Sequence, residues 1–544
     1  MPGTAPETLP PPPVSGFGIP NPAAPPYAVN NQIPTLISPP TLRLLPSYGV
    51  VPLQAYDPNA PAVLIQPRAF LGETFTDNVN YVHSPRRFAA ITELGAGASV
   101  SADTPRLQAV ATGQATGNIY LPGSNSSLNH VYGSLYANGH GTIVPGFAFV
   151  DAQSSITQST TLPGFGFQNL STLPRNQQTQ QFVNSVSPYV IQSFDGVVDT
   201  ELRYTFASSN YGGNTTVVTA PLTPGQSTLS STIQNEGTFI AATGENFQKV
   251  AARFTADAAN VNSTSPSQST QVSAFNDFQY NFTPTIAGLA RAGYQNLRYP
   301  NAQAATFAGA TWLFGGRLGK VDLVQPAFIS LQYGKQQGVY GFTGAAQFNI
   351  TPSMLLTASL VQGISSQAQF FQSSLANSSL NPSGAIVNVS TGLPISFYNP
   401  GLGLSNNVYR QHLFNIGLSD VIPPNTYSIF GFYNDQKALT QTVEVPTKTL
   451  GVNLGYSRDI RPDVSGYASV GYANSNNSPT VLATTTTNFN TATASLGLNY
   501  VLAHALTGSL VYTFSYQSNG AALSTGRSGD VFANQLQLLL SKTF

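Results

Sequence analysis

Apolar and polar residues alternate one by one along most of this chain. Over 448–459, Leu450, Val452, Leu454 and Tyr456 share one parity, and Thr449, Gly451, Asn453, Gly455 and Ser457 share the other. A period of two places successive side chains on opposite faces of a β-strand. After a short break at 459–463 the pattern resumes, with Val464, Gly466, Ala468, Val470 and Tyr472 against Ser465, Tyr467, Ser469 and Gly471. A polar Ser/Asn-rich stretch, 475–490, follows. A second pair of strands comes next, carrying Leu496, Leu498, Tyr500 and Leu502, then Leu510, Tyr512, Phe514 and Tyr516. Short turns thus alternate with long polar loops, the asymmetry of outer-membrane barrels.

Read this way, the chain contains about 22 strands, with 18 to 24 as the range. Five lie near 64–77, 88–101, 107–120, 129–139 and 145–157. Ten more fall between 182 and 365 and seven between 409 and 544. The expected fold is all-β: a closed antiparallel transmembrane β-barrel over 63–544. An even strand number puts both ends of the barrel on one side of the membrane.

Composition sharpens the picture. The 544 residues include 21 Lys+Arg and 21 Asp+Glu, so charged residues make up 8%, against roughly 25% in soluble proteins. That is too few to cover a soluble globule of this size. Hydrophobic residues are 41%, with 25 Tyr and 32 Phe, yet no run approaches the ~18 apolar residues of a membrane helix. An aromatic, nearly uncharged chain of mean hydropathy −0.02 fits a bilayer crossed by strands with apolar residues outward and polar ones inward. The net charge of +0 argues against a nucleic-acid partner. With no cysteine there is no disulfide and no thiolate chemistry.

The first 62 residues read differently. The first 67 residues hold 18 of the 40 prolines, among them Pro10 to Pro13, and charges up to residue 62 occur only at Glu7, Arg43 and Asp57. Proline fixes φ and removes a donor, so 1–62 is expected to be an extended or disordered periplasmic segment. It is short and proline-rich for a folded plug, which weighs against an energised siderophore-type transporter. No basic and then apolar export signal follows Met1, so an exported barrel would have lost one or have its start upstream.

Catalytic patterns do not emerge. His83, His130, His140, His412 and His504 are scattered without metal spacing, and no nucleophile elbow or phosphate loop occurs. No enzymatic activity, cofactor or metal is expected. The informative residues are charges within strands. Glu201 and Arg203 oppose Leu202 and Tyr204, while Lys249, Arg253 and Asp257 oppose Val250 and Phe254. Asp277 and Arg291 fall on polar-leaning faces. A charge facing mid-bilayer lipid costs about 2–4 kcal/mol, so these seven are candidate pore-lining residues. They would either steer polar solutes or tie the wall together by cross-strand ion pairs. The longest loop, 366–408, is expected to fold inward and narrow the pore.

The chain ends in Phe544, preceded at alternate positions by Lys542, Leu540, Leu538 and Leu536. This resembles the C-terminal signature read by the barrel assembly machinery, with Lys542 departing from the usual apolar residue. The segment Phe70-Leu71-Gly72-Glu73-Thr74-Phe75-Thr76-Asp77-Asn78-Val79 resembles the opening strand of the β-barrel porin 2 family. Similar blocks are Ala102-Asp103-Thr104-Pro105-Arg106-Leu107, Ser187-Pro188-Tyr189-Val190, Glu201-Leu202-Arg203-Tyr204, Ile286 to Tyr294, and Ser330 to Lys335 running into Ile350-Thr351-Pro352-Ser353. The motifs are loose and cover roughly 63–544. The resemblance implies an outer-membrane barrel, porin-like or, in some members, tied to exopolysaccharide export.

The expected function is a channel in the bacterial outer membrane that passes small polar solutes or carbohydrate by diffusion. Its partners would be outer-membrane lipid, the assembly machinery and the solute. One alternative is an outlet for exopolysaccharide working with a periplasmic export partner. Another is a non-transport surface barrel, an adhesin or scaffold. All three require an apolar exterior, so the purified chain should stay in solution only with detergent. Solubility without detergent, checked by ultracentrifugation, would contradict them.

Overall fold

The computed structural model describes residues 62–122, 128–160, 178–213, 216–218, 226–244, 247, 249–263, 267–320, 327–366, 368–370, 372, 378–380, 386–388, 406–439, 446–477, 487–503, 505–518 and 529–544. The proline-rich segment 1–61 lies outside them. Twenty-two strands form one sheet in which every pairing is between antiparallel neighbours. The sheet closes on itself: the first strand, Val63–Thr76, pairs with the second, Ala89–Asp103, and also with the last, Val531–Thr543. The closing ladder runs from Arg68 opposite Thr543 to Thr76 opposite Gln535. Two three-residue ribbons, Thr216–Val218 with Gln226–Thr228 and Ser378–Leu380 with Ile386–Asn388, lie in loops outside this sheet.

Each segment read from the alternation is a wall strand. The largest shifts are at 322–334, observed as Ala327–Gln336, and at 304–315, observed as Phe307–Lys320. Several strands run past the alternating stretch, as in Gln178–Phe194 and Val408–Ile422. There the ladder continues through polar Gln178 to Gln181 and through Asp420-Val421-Ile422 alike, because pairing the backbone is favourable whatever the side chains are.

The wall is inverted relative to a soluble protein. Outward residues such as Leu202, Phe314, Leu450 and Leu496 are 58–61% exposed, whereas the inward neighbours Arg203 and Thr449 are 1% and 2% exposed. Apolar side chains on the outside match a hydrocarbon solvent, and polar ones on the inside keep their hydrogen bonds.

The connections at the end holding both barrel termini are two to six residues long. Asp195-Gly196, between Gln178–Phe194 and Val198–Gly213, takes positive φ at both positions (49° and 70°), the left-handed geometry whose twist suits a tight hairpin. At the other end, connections reach 41 residues, in 367–407. One of them, Gln337-Gly338, is tight and also has positive φ at both residues.

Two long-end loops fold into the barrel. In 77–88, Val79 and Tyr81 are buried, and Val79 packs against inward-facing Ala89, Ile91 and Tyr120. The loop also clasps the last strand. Asp77 accepts from the Asn534 backbone N–H (2.8 Å) and Nδ2 (2.7 Å), Asn78 Nδ2 donates to the Phe532 carbonyl (2.9 Å), and Arg86 lies 3.2 Å from the Phe532 ring centroid. Farther round, Leu297, Tyr299, Ala302, Ala305, Ile364, Val408 and Leu439 form a small apolar core at the same end. Of the loop expected to narrow the pore, Ala368 and Phe370 are buried, and Gln369 accepts from the Tyr299 hydroxyl (3.0 Å). Ser230 N donates to Asn406 Oδ1 (3.0 Å), joining loops whose following strands stand eight places apart around the ring. The mouth at the long-loop end is therefore partly bridged.

Asp77→Ala removes the carboxylate that ties the first loop to the last strand. It should lower barrel stability by about 1.5 kcal/mol, in the range for hydrogen bonds to charged groups. The urea midpoint of the detergent-folded protein, followed by the gel-mobility shift on heating, measures this.

Candidate functional site: the inward wall

All ten buried charged residues among those described lie before residue 292: Arg68, Glu93, Asp151, Glu201, Arg203, Glu236, Arg253, Asp257, Asp277 and Arg291. From the strand Ala327–Gln336 onward the buried inward positions are neutral, for example Gln411, Asn415, Thr449, Asn453, Ser469, Thr493 and Gln537. The inner surface thus has a charged sector and a hydroxyl-and-amide sector.

Six of the seven residues expected to line the pore stand on the inward face, at 1–8% exposure: Glu201, Arg203, Arg253, Asp257, Asp277 and Arg291. Lys249 does not. The wall strand begins at Val250 (Val250–Ser263), and Lys249 is exposed in the short turn before it, with its carbonyl accepting from Asn281 N (2.8 Å). The alternation continued one residue beyond the last rung of the ladder.

Two ion-pair clusters organise the charged sector. In the first, Arg203 on Val198–Gly213 donates through Nε to Glu201 Oε1 (2.7 Å) and through Nη1 to Asp151 Oδ2 (2.8 Å), which reaches across the intervening strand to Ala148–Thr160. Its guanidinium lies 3.8 Å from the Tyr189 ring centroid, a cation–π contact with the same face of Gln178–Phe194. His140 Nδ1 sits 2.8 Å from the other Asp151 oxygen. In the second, Asp277 on Ser269–Thr283 is held between Arg253 Nη2 (2.8 Å) and Arg291 Nε (2.5 Å) on the two flanking strands. These residues are rungs of the same ladder, since Arg253 faces Asp277 and Asp277 faces Arg291. Sharing one carboxylate between two guanidiniums leaves a net positive cluster, whereas Arg203 with Glu201 and Asp151 is net negative.

Between them stand Glu236 and Asp257. Glu236 on Thr232–Thr243 accepts from Gln234 Nε2 (3.2 Å) and Thr238 Oγ1 (3.4 Å). Asp257 accepts from Gln271 Nε2 (3.3 Å) and from Ser273 Oγ. Elsewhere, Glu93 accepts from Thr74 Oγ1 (2.7 Å) and Gln537 Nε2 (3.0 Å), bracing the seam between first and last strands. Arg68 Nη2 donates to Gln114 Oε1 (2.9 Å).

Reading by sequence missed Arg68, Glu93, Asp151 and Glu236. Each keeps the polar parity of its strand, so parity alone carried the signal for them. The cross-strand partner, which gives each its role, is a matter of register. No group of three His, Asp or Glu suited to a metal occurs among the described residues, and His504 lies outside them. A cavity of about 310 Å³ opens near the long-loop end between His130, Val131, Tyr132, Gln178, Thr179, Gln180 and Gly212. The Tyr120, His130 and Tyr132 rings follow one another there at 5.9 and 5.6 Å between centroids. Phe544, the expected assembly signal, is exposed at the turn end, with its N–H donating to the Pro67 carbonyl (2.9 Å).

Arg203→Ala leaves Glu201 and Asp151 facing each other without their guanidinium. Removing one partner of a buried ion pair costs about 3–5 kcal/mol. A fall of that size in the urea unfolding free energy is expected, with partial recovery when Glu201→Gln and Asp151→Asn are added.

No family model matches the chain, and no curated protein matches it. Solved structures do. The ferric enterobactin receptor of Pseudomonas aeruginosa, in a G324V mutant form, is 10% identical at a TM-score of 0.42, over 88% of this chain and 80% of that one. The siderophore receptor PirA of Acinetobacter baumannii is 7% identical at 0.43, over the same shares. A loop-deleted OmpT, an outer membrane protein of Vibrio cholerae, is 8% identical at 0.29, over 89% of this chain and all of that one. What the chain itself establishes, through its own ladder, is a closed antiparallel β-barrel of 22 strands.

Proposed function

We propose that this protein is a channel of the bacterial outer membrane that passes small polar solutes or carbohydrate by diffusion. The observation that carries the reading is the inverted wall: apolar side chains outward, and hydroxyls, amides and paired charges inward. Outer-membrane lipid is the solvent that such an exterior matches. Phe544 on its alternating strand is the feature the barrel assembly machinery would read. Selection would come from the bridged mouth and the inward polar groups, among them Glu201, Arg203, Arg253, Asp257, Asp277 and Arg291. Because most inward charges are already paired, they hold the wall in shape and present a mixed-charge surface without a strong single-sign field.

A second reading is an outlet for exopolysaccharide fed by a periplasmic partner. The sequence blocks that resemble the β-barrel porin 2 family support it, as does the long neutral sector of hydroxyls and amides, a surface suited to a hydroxyl-rich polymer.

Refolded protein in planar bilayers should give ohmic single-channel currents, reduced by added oligosaccharides if carbohydrate enters. Removing the central part of loop 367–407 should raise the unit conductance. A wild-type protein that inserts but never conducts, under any voltage, would refute the diffusion channel. Unchanged conductance after loop removal would refute the constriction.

A further inference from the structure

On the neutral sector of the inward wall, several polar atoms stand buried with no partner among the described residues: Ser541 Oγ, Asn499 Oδ1, Asn453 Nδ2 and both carboxamide atoms of Asn415. They sit on alternate strands counted from the seam: Val531–Thr543, Thr487–Ala503, Pro446–Arg461 and Val408–Ile422. Ser541, Asn453 and Asn415 are 3–4% exposed. A buried polar group without a partner bears its full desolvation cost, so this sector favours an occupant that brings its own donors and acceptors.

Aromatic rings lie along the same path. Tyr467 stands opposite Gly497 in the register and covers it so closely that a β-carbon there would be 2.3 Å from the ring. Phe432 covers Gly451 in the same manner, and its plane lies within 20° of the Phe430 ring at 6.1 Å between centroids. Rings laid against glycines leave a shallow track, floored between them by Gly455, Ser457 and Ser465. Extended proline-rich chains dock on tracks of this kind, since their backbone has no internal hydrogen bonds and their rings pack on aromatic ones.

The chain itself holds such a segment. Residues 1–61 contain 17 of the 40 prolines, and their only charges are Glu7, Arg43 and Asp57. They join the wall at the turn end of Val63–Thr76, whose neighbour across the seam is Val531–Thr543, within the neutral sector. The strand of Tyr467 is four places from Val63–Thr76, about 19 Å around the wall at ~4.8 Å per strand. About 15 residues of polyproline II chain span roughly 46 Å, so residues 47–61 alone can reach it. A nearly uncharged segment suits this sector better than the ion-pair clusters of Arg203 and Asp277.

We propose that the proline-rich segment 1–61 turns back into the barrel and lies extended along the neutral inward face, from Ser541 past Tyr467 toward Phe430 and Phe432. Its carbonyls accept from amides such as Asn453 Nδ2, and its free N–H groups donate to oxygens such as Asn499 Oδ1. Because it covers one sector, it narrows the lumen without sealing it. This goes beyond the channel reading and does not depend on it, because proximity of segment and wall can be measured whether or not the barrel conducts.

The chain has no cysteine, so introduced pairs report proximity without background. The full chain, folded in detergent, carries one cysteine in the segment (Thr35→Cys, Thr41→Cys or Ser47→Cys) and one on the inward wall, and is oxidised with copper phenanthroline. Ser465→Cys marks the track. Thr142→Cys marks the charged side, near the turn end of a strand three places from Val63–Thr76, so a freely moving tail would meet it at least as often. The yield of intramolecular disulfide, read by mass spectrometry at the best segment position, should be about tenfold higher with Ser465→Cys than with Thr142→Cys, the ratio given by a preference of ~1.4 kcal/mol. Adding Tyr467→Ala should lower it severalfold. Heat-dependent gel mobility reports folding, and should either wall cysteine prevent it, Ser457→Cys and Asn138→Cys take their places. Equal yields on the two sides, or a higher yield with Thr142→Cys, would show a tail that does not dock on the track and overturn the proposal. No disulfide with either wall position would leave the segment outside the lumen and overturn it too.

Discussion

The structure depends on one requirement: in a hydrocarbon solvent every backbone N–H and C=O of the wall must find a partner within the protein. A sheet meets this only by closing, because an open edge would leave a row of unpaired groups in lipid. Here the closing rung is made by the two strands most distant in sequence, Val63–Thr76 and Val531–Thr543. Their union is reinforced beyond the ladder. Glu93 and Gln537 brace it from inside, and Asp77, Asn78 and Arg86 clasp the last strand at the mouth. Loop closure over such a separation is entropically unfavourable, and these side-chain contacts offset part of that cost where the chain meets its own beginning.

Closure in turn dictates where charge can reside. An outward charge in the hydrocarbon band is costly, so the wall's arginines and carboxylates collect inside, where they must satisfy one another. Asp277 between two arginines and Arg203 between two carboxylates are solutions of that kind, each spread over three strands. Such clusters tie together, on the inward face, strands whose spacing the backbone ladder already sets, and they shape the electrostatics of the lumen. Among the described residues, the neutral half of the wall has no buried ion pair, and its Ser, Thr, Asn and Gln side chains offer hydrogen bonds without fixed charge. Toward the turn end the inward faces are more open, as on Ala327–Gln336 and Leu506–Gln517, whereas the long-loop end is narrowed by Tyr81, Tyr299 and Phe370.

Much of the fold was legible in the order of residues, for a physical reason. Lipid on one face and water or polar groups on the other impose a period of two on every strand, and that period is local. It yielded all 22 strands, the inward direction of Glu201, Arg203, Arg253, Asp257, Asp277 and Arg291, and the alternation of tight turns with long loops. It failed at Lys249, where parity continued past the end of the ladder, and it gave no reason to single out Asp151, whose partner Arg203 stands two strands away.

What the sequence determined by itself was therefore the wall: its strands, its two faces and its lack of soluble surface, since each follows from side chains a few positions apart. What only the tertiary structure decided was everything set by register between strands and by loops returning to the barrel. The sharing of Asp277, the reach of Arg203 to Asp151, the diagonal placing of Glu236 and Asp257, and the inward fold of 77–88 all join residues from about 14 to more than 400 positions apart. No local pattern encodes such contacts, because they come into being only when the closed ladder fixes which residue stands opposite which.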